Sequence, residues 1–155
     1  MDIRRVVQSQ YLAALKMLKE AIVKCPAAMW DAPRDKDRFW YVAHHAVYWA
    51  HRFLRAGSAD FETWRGHRRP DGSAPISKLE LLEYLAHVER QVRERAAGTD
   101  FEAAPGSRGF RVDRLELAIV GIRHIQQHTG ELYERLGSRA GVLLHWTEQV
   151  HRKGT

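Results

Sequence analysis

Residues 123–136 read RHIQQHTGELYERL, and the helix that they predict organises the rest of the chain. His124 and His128 stand four residues apart in it, so both imidazoles project from one face of that helix. Two histidines at this spacing can hold one metal ion but leave its coordination incomplete. We therefore expect a third ligand from another segment, and the adjacent pair His44 and His45 is the clearest source.

The whole chain has the size and composition of one globular domain. It has 155 residues, of which 45% are hydrophobic, and this is enough for a single core. No run approaches the roughly 18 apolar residues that a membrane span needs, and the first ten residues lack the apolar segment of a secretion signal. Cys25 is the only cysteine, which excludes an internal disulfide and a cysteine-based metal cluster. These features favour a cytoplasmic location and no membrane partner.

The charge is modestly basic, with 25 Lys and Arg against 19 Asp and Glu and a formal net charge of +6. Such a balance favours anionic partners or substrates. The strongest cluster, RGHRR at residues 65–69, has no helix-turn-helix or zinc-finger pattern around it. We interpret it as a solvated loop and do not expect nucleic acid to be a partner.

Four helices are predicted, over residues 3–24, 37–56, 77–98 and 113–137, and no stretch alternates as a strand does. Each is about 20 residues or more, which is about 30 Å of helix, and four such helices predict an all-α four-helix bundle. The connection at residues 57–76 is long, and loops of this length often help to form a site.

Local signals mark the ends of these helices. Asp2 can cap the first helix, and Pro26 should end it because the residue before proline avoids helical geometry. Ser77 opens a capping box for the third helix, Asp113 opens a similar one for the fourth, and Gly137 is expected to close the fourth. Residues 1–137 are therefore predicted to form the bundle, and residues 138–155 a C-terminal extension that can pack on it as a short helix.

Apolar spacing predicts which faces are buried. Residues 39–54 are close to apolar all round, so we expect this helix to be buried on more than one side, one of which is available to a second copy of the chain. In the fourth helix His124 and His128 lie beside the main apolar arc, and Gly121 is expected to leave space for a ligand. The arc comprises Leu115, Ala118, Ile119, Ile122, Ile125, Leu132, Tyr133 and Leu136.

The residues alone do not choose between His44 and His45, because a helical wheel places them on opposite edges of the apolar face. The remaining histidines are interpreted as surface or partly packed residues; they are His51, His67, His87, His145 and His151. A HExxH motif and paired Glu-x-x-His motifs are absent, which sets aside the zinc proteases and the two-metal bundles. What remains is a three-nitrogen site with open positions, as in catalytic zinc sites, where a bound water or thiol has its pKa lowered toward about 7.

Two segments resemble the DinB-like family, the four-helix metal proteins that include YfiT-type hydrolases and the bacillithiol and mycothiol transferases. FWYVAHHAVYW at residues 39–49 looks like the family's second helix with its one ligand histidine, and HIQQHTGEL at residues 124–132 looks like its terminal His-x-x-x-His segment. The resemblance covers about residues 1–137, mostly in pattern.

The resemblance implies three metal ligands, His45, His124 and His128, with His45 preferred over His44 by the aromatic register. It also implies a long crossover between the second and third helices, a small-molecule substrate, and commonly a homodimer. The ligand type favours zinc or nickel as the divalent ion. The expected function is activation of water or of a low-molecular-weight thiol, in a hydrolase or an S-transferase. The alternative is a non-enzymatic dimeric module that binds a metal or a partner.

Glu131, one turn beyond His128, is the candidate catalytic residue. It is expected either to orient an imidazole or to act as a general base. Equally, it can be a surface glutamate paired with Arg135, four residues further on.

Overall fold

The computed structural model describes residues 2–54, 64–66, 75–103 and 112–150. In these ranges the chain is all-helical and contains no strand, and no helix in them is long and apolar enough to cross a membrane. A 3-10 turn lies at Trp64–Gly66. The α-helices are α1 (Ile3–Lys24), α2 (Ala27–Trp30), α3 (Phe39–Leu54), α4 (Lys78–Gly98) and α5 (Arg114–Ala140).

The predicted helix starts are confirmed by their caps. The side chains of Asp2, Ser77 and Asp113 each accept a hydrogen bond from a backbone N–H in the first turn of the helix that follows. Ser77 and Glu80 form the full capping box. α1 ends where Cys25 adopts extended geometry before Pro26.

Three features differ from the prediction, the first being that α3 begins at Phe39 and not at residue 37. The connection after Pro26 contains a one-turn helix, α2, and α5 continues through Gly137 to Ala140. α5 stops at Gly141, which has a φ of 62° and whose N–H donates to the carbonyl of Gly137. A left-handed residue is what ends a helix in this way, and Gly137 keeps helical geometry.

Each of the four long helices packs mainly against two of the others. α1 packs against α4 and α5, and α3 packs against the same two helices. Tyr11 joins α1 to α3, because its buried hydroxyl donates to the carbonyl of Ala50 at 2.7 Å. The apolar residues that recur at helical spacing along α1 are all buried: Val7, Tyr11, Leu15, Leu18 and Ile22.

Burial along α5 departs from the predicted apolar arc in its N-terminal half. Leu117 and Gly121 are buried, whereas Ile119 is 46% exposed. The arc prediction holds further along, where Ile125, Leu132 and Leu136 are fully buried. The face that enters the core at the start of α5 is therefore the one that also carries His124.

The C-terminal segment packs back on α1, but the predicted short helix is wrong for residues 141–150, which are not helical. Their backbone hydrogen-bonding groups are instead engaged by side chains of α1 and α5. The bonds run from Lys24 Nζ to Leu143 O, from Gln10 Nε2 to Glu148 O, from Val150 N to Ser9 Oγ and from Tyr133 Oη to His145 O.

Most of the predicted crossover lies outside the described residues, as do His67, Arg68, Arg69 and His151. Its described turn is fixed to α4. The ring of Trp64 stacks on Tyr84 with centroids 5.6 Å apart and an interplanar angle of 1°. Cζ of Arg65 lies over the Trp64 ring, 4.3 Å from its centroid, and Arg65 pairs with Glu83 at 2.6 Å, so this part of the basic cluster is engaged in packing.

Candidate metal centre

Three histidines from α3 and α5 converge between those helices. His45 comes from the middle of α3, and His124 and His128 come from successive turns of α5. Their ring centroids lie 5.1 Å (His45–His124), 4.8 Å (His45–His128) and 4.6 Å (His124–His128) apart. One ligand nitrogen from each ring lies within 4.8 Å of the others. Nitrogens bound to one ion at about 2.0–2.1 Å lie roughly 3–3.5 Å apart, so modest side-chain rotation closes this cluster on a metal.

The cluster stands out in the part of the chain that the structure describes. There it is the one group of three or more His, Cys, Asp or Glu side chains whose ligand atoms come this close. All three rings are half-buried. Three protein ligands leave a coordination position of a tetrahedral ion for another molecule, which is the ligand count that catalytic rather than structural zinc sites use.

One ring nitrogen of His124 lacks a polar partner among the described residues. This atom, Nε2, is buried. A buried polar atom left unsatisfied costs about 1–3 kcal/mol. An ion held by the three rings would give this nitrogen its partner, so the donor set fits a metal.

The protonation of His124 also suits ligation. Burial of the ring, and then the nearby imidazoles of His128 and His45, lower the pKa of His124 from its ordinary 6.5 to about 4. The ring is therefore neutral at neutral pH, and a neutral imidazole is the form that binds a metal.

Aromatic residues line the α3 side of the cluster. Tyr41 lies four residues before His45 on α3, and Trp49 and Phe53 lie four and eight residues after it, so the three form one stripe with His45. The rings of Trp49 and Phe53 also contact His124, at centroid distances of 6.4 and 5.7 Å. This stripe gives the cluster an apolar wall, and an apolar wall strengthens electrostatic interactions beside it.

On the α5 side of the cluster, a series of charged side chains runs from His128 to Arg139. Nδ1 of His128 lies 3.5 Å from Oε2 of Glu131, which is within ion-pair distance but too long for a hydrogen bond, so this buried nitrogen has no hydrogen-bond partner among the described residues. The carboxylate of Glu131 is also paired with Arg135. Arg135 approaches the buried Asp35, which is bonded to Arg139. The hydrogen bond from Arg139 lowers the pKa of Asp35 below its ordinary range. Glu131 therefore lies close to His128 and is also paired with Arg135.

Gly121 does not provide the space for a ligand that the sequence predicts. A Cβ on Gly121 would lie 2.7 Å from the hydroxyl oxygen of Tyr11. The glycine therefore allows close packing between α5 and α1. Its role is to admit Tyr11, and that prediction is wrong.

The neighbouring histidines of α3 face a different part of the core. His44 is buried against Tyr84, and Nδ1 of His51 lies 3.1 Å from the hydroxyl of the same tyrosine. His87 contacts His51 and stacks with Trp64. The structure therefore places His45, and not His44, beside His124 and His128. The full burial of His51 was not predicted. His51 lies seven residues after His44, which is two turns along the same face of α3, and this spacing is the signal that could have revealed its burial.

Comparison with known proteins gave no match, either to a family model, to a curated protein or to a solved structure. The resemblance to the DinB-like family therefore stays an expectation based on residues 39–49 and 124–132.

Proposed function

We propose that this chain is a metal-dependent enzyme whose divalent ion, zinc or nickel, is held by His45, His124 and His128. The observation that carries the proposal is the convergence of the three imidazoles, with the buried Nε2 of His124 lacking another partner among the described residues. Three nitrogen ligands suit zinc and nickel, and leave positions for a small molecule.

The reaction that we propose is hydrolysis or transfer of a low-molecular-weight thiol to an electrophile. A bound divalent ion would supply Lewis acidity, which makes water or a thiol a better nucleophile near neutral pH. The chain's own groups hold the site: the stripe of Trp49 and Phe53 excludes water on one side, and Glu131 contacts His128 on the other. Because the Glu131 carboxylate already serves Arg135 and faces His128, this geometry favours an orienting role for it over a general base.

The resemblance to the DinB-like family extends the proposal to the fold class, the location and the oligomeric state. We propose a four-helix bundle of the DinB-like class, with a long crossover between α3 and α4, acting in the cytoplasm as a homodimer on a small molecule. A thiol as the second substrate comes from the resemblance alone. The apolar residues of α3 lend the homodimer little support, since most of them are already buried within one chain.

The test compares metal-free protein with protein reconstituted with zinc or with nickel. Each form is incubated with a thiol (bacillithiol, mycothiol or glutathione) and a fluorogenic bimane electrophile, and separately with ester and amide substrates. We expect turnover in a metal-loaded form, loss of turnover in His124→Ala, and retention of it in His44→Ala. Stoichiometric metal binding with no turnover on any of these substrates would instead support the non-enzymatic metal-binding module.

A further inference from the structure

Arg135 lies at the junction between the segments that carry the three histidines. Its side chain is only 13% exposed, which is unusual for arginine outside a network. The guanidinium pairs with the carboxylate of Glu131 through Nη2, and its Nη1 donates to the backbone carbonyl of Asp37 at 2.7 Å. Oδ2 of Asp35 lies 3.9 Å from the same Nη1.

These partners belong to different ligand-bearing segments. Asp37 stands two residues before α3, which carries His45, whereas Glu131 lies on α5 three residues after His128. A guanidinium is a rigid planar fork that can hold two acceptors at a fixed separation. Arg135 therefore joins the start of α3 to the turn of α5 that follows the ligand histidines.

Resting on the function proposed above, we propose that Arg135 is a positioning residue for the three-histidine site. Its guanidinium holds Glu131 against Nδ1 of His128 and fixes the start of α3 relative to α5. Nδ1 of His128 has no hydrogen-bond partner among the described residues, and a small closure of its 3.5 Å separation from Glu131 would let the carboxylate accept a proton from it and leave the lone pair of Nε2 for an ion. Arg135 would thus act on both the orientation of His128 and the distance of His45 from it.

Arg139 supplies the matched comparison. It lies one turn beyond Arg135 on α5, and its guanidinium is bonded to Asp35. Both arginines are therefore involved with the same buried carboxylate, and losing either is expected to lower stability. Only Arg135 contacts Glu131, so only Arg135 is expected to affect the metal site.

The experiment is a titration of metal-free protein with Co²⁺, which reports ligand geometry through its visible absorption. The proteins compared are the wild type, Arg135→Met, Arg135→Lys, Glu131→Gln, the Arg135→Met/Glu131→Gln double variant and Arg139→Gln. Their thermal unfolding is measured in parallel. Methionine keeps the apolar stem but removes the guanidinium, and lysine keeps the charge but cannot bridge Glu131 and Asp37 in the same way.

We expect Co²⁺ affinity to fall about 10–100-fold in Arg135→Met, as for other residues that orient a metal ligand from outside. Its absorption spectrum should change, and the double variant should bind no more weakly than Arg135→Met, because both residues act through one contact. Arg135→Lys should lie between Arg135→Met and the wild type. Arg139→Gln should keep the wild-type spectrum and affinity despite a lower unfolding temperature.

Unchanged affinity and spectrum in Arg135→Met would overturn the positioning role, and so would an equal change in Arg139→Gln. A second readout needs no metal: the ¹⁵N shifts of His128 in the metal-free protein report which ring nitrogen carries the proton. We expect an Nδ1–H form in the wild type and a mixture in Arg135→Met, and the same mixture in both proteins would also overturn the proposal. Failure of the proposed function looks different, because the wild type itself would then not bind Co²⁺.

Discussion

His44 and His45 are adjacent in the chain, but their imidazoles lie against different partners. The ring of His45 lies 4.8 Å from that of His128 across the α3–α5 interface, whereas His44 is buried and lies 6.1 Å from the ring of Tyr84. Successive residues of a helix project about 100° apart. One histidine of the pair is therefore available to a metal, and the other belongs to the core.

This separation predicts opposite outcomes for two similar variants. His45→Ala should abolish tight metal binding with a small effect on the metal-free protein's stability. His44→Ala should keep the metal but destabilise the fold by about 1–3 kcal/mol, as is common when a buried side chain is truncated. Zinc titration and urea unfolding of both variants check this, and loss of zinc binding in His44→Ala alone would exchange the two assignments.

Gly121 and Gly130 make a second matched pair, both within α5. Gly121→Ala should destabilise the protein by about 1–3 kcal/mol, because the new Cβ would lie 2.7 Å from the Tyr11 hydroxyl oxygen. Gly130→Ala meets no atom within 4 Å and should stabilise the helix by about 0.5–1 kcal/mol. Thermal unfolding distinguishes them. A Tyr11→Phe background, which removes the clashing oxygen, should relieve part of the Gly121→Ala effect.

Acid should destabilise the metal-free protein through His124. Its pKa is lowered from 6.5 to about 4 in the folded state, by burial first and by His128 and His45 second. Between these values the unfolded chain binds a proton that the folded protein does not. This contribution to stability is therefore full above pH 6.5 and is lost as the pH falls toward 4. Urea midpoints of the metal-free wild type should decline in this window.

The matched control for the pH prediction is His124→Gln, whose midpoints should decline less between pH 6.5 and 4. Equal declines in the two proteins would contradict the assignment to His124. The buried Asp35 acts at lower pH, since Arg139 holds its pKa below the ordinary 3.8. Hydrogen bonding to Lys24 lowers the pKa of Glu20 from 4.5 to about 2. Stability from these carboxylates is present above their ordinary pKa values and is lost only as the pH falls below them.

The C-terminal segment should contribute to stability without affecting the metal. Residues 142–150 bond to side chains of α1, including Gln10 and Lys24, and none of these contacts involves the three histidines. A chain ending at Gly141 should lose about 2–4 kcal/mol of stability, at about 0.5–1.5 kcal/mol per lost hydrogen bond plus packing. Its zinc affinity should equal that of the full chain, and a large loss of affinity would show that the segment supports the site.

Much of the helical structure could be predicted because its signals are local. The caps at Asp2, Ser77 and Asp113 lie next to the helices that they start, and the apolar stripe of α1 repeats at helical spacing. The end of α5 could not be predicted in the same way. Gly137 and Gly141 look alike in the sequence, and only the backbone shows that Gly141 has the positive φ.

The site could be predicted only in part because it depends on how helices face one another. The spacing of His124 and His128 places both rings on one side of α5, and that much is local. The choice of His45 required the family resemblance, since nothing local tells which edge of α3 faces α5. The prediction for Gly121 was wrong for the same reason. A small residue can leave space for a ligand or admit a neighbouring side chain, and here Tyr11 occupies the space beside Gly121.

The most direct test of the account is the metal content of protein purified without a histidine tag, measured by elemental mass spectrometry. The His45→Ala, His128→Ala and His44→Ala variants are measured beside the wild type. We predict close to one zinc or nickel per chain in the wild type and in His44→Ala, and none in the other two. A wild-type protein that holds no divalent metal, even after incubation with zinc or nickel, would contradict the account.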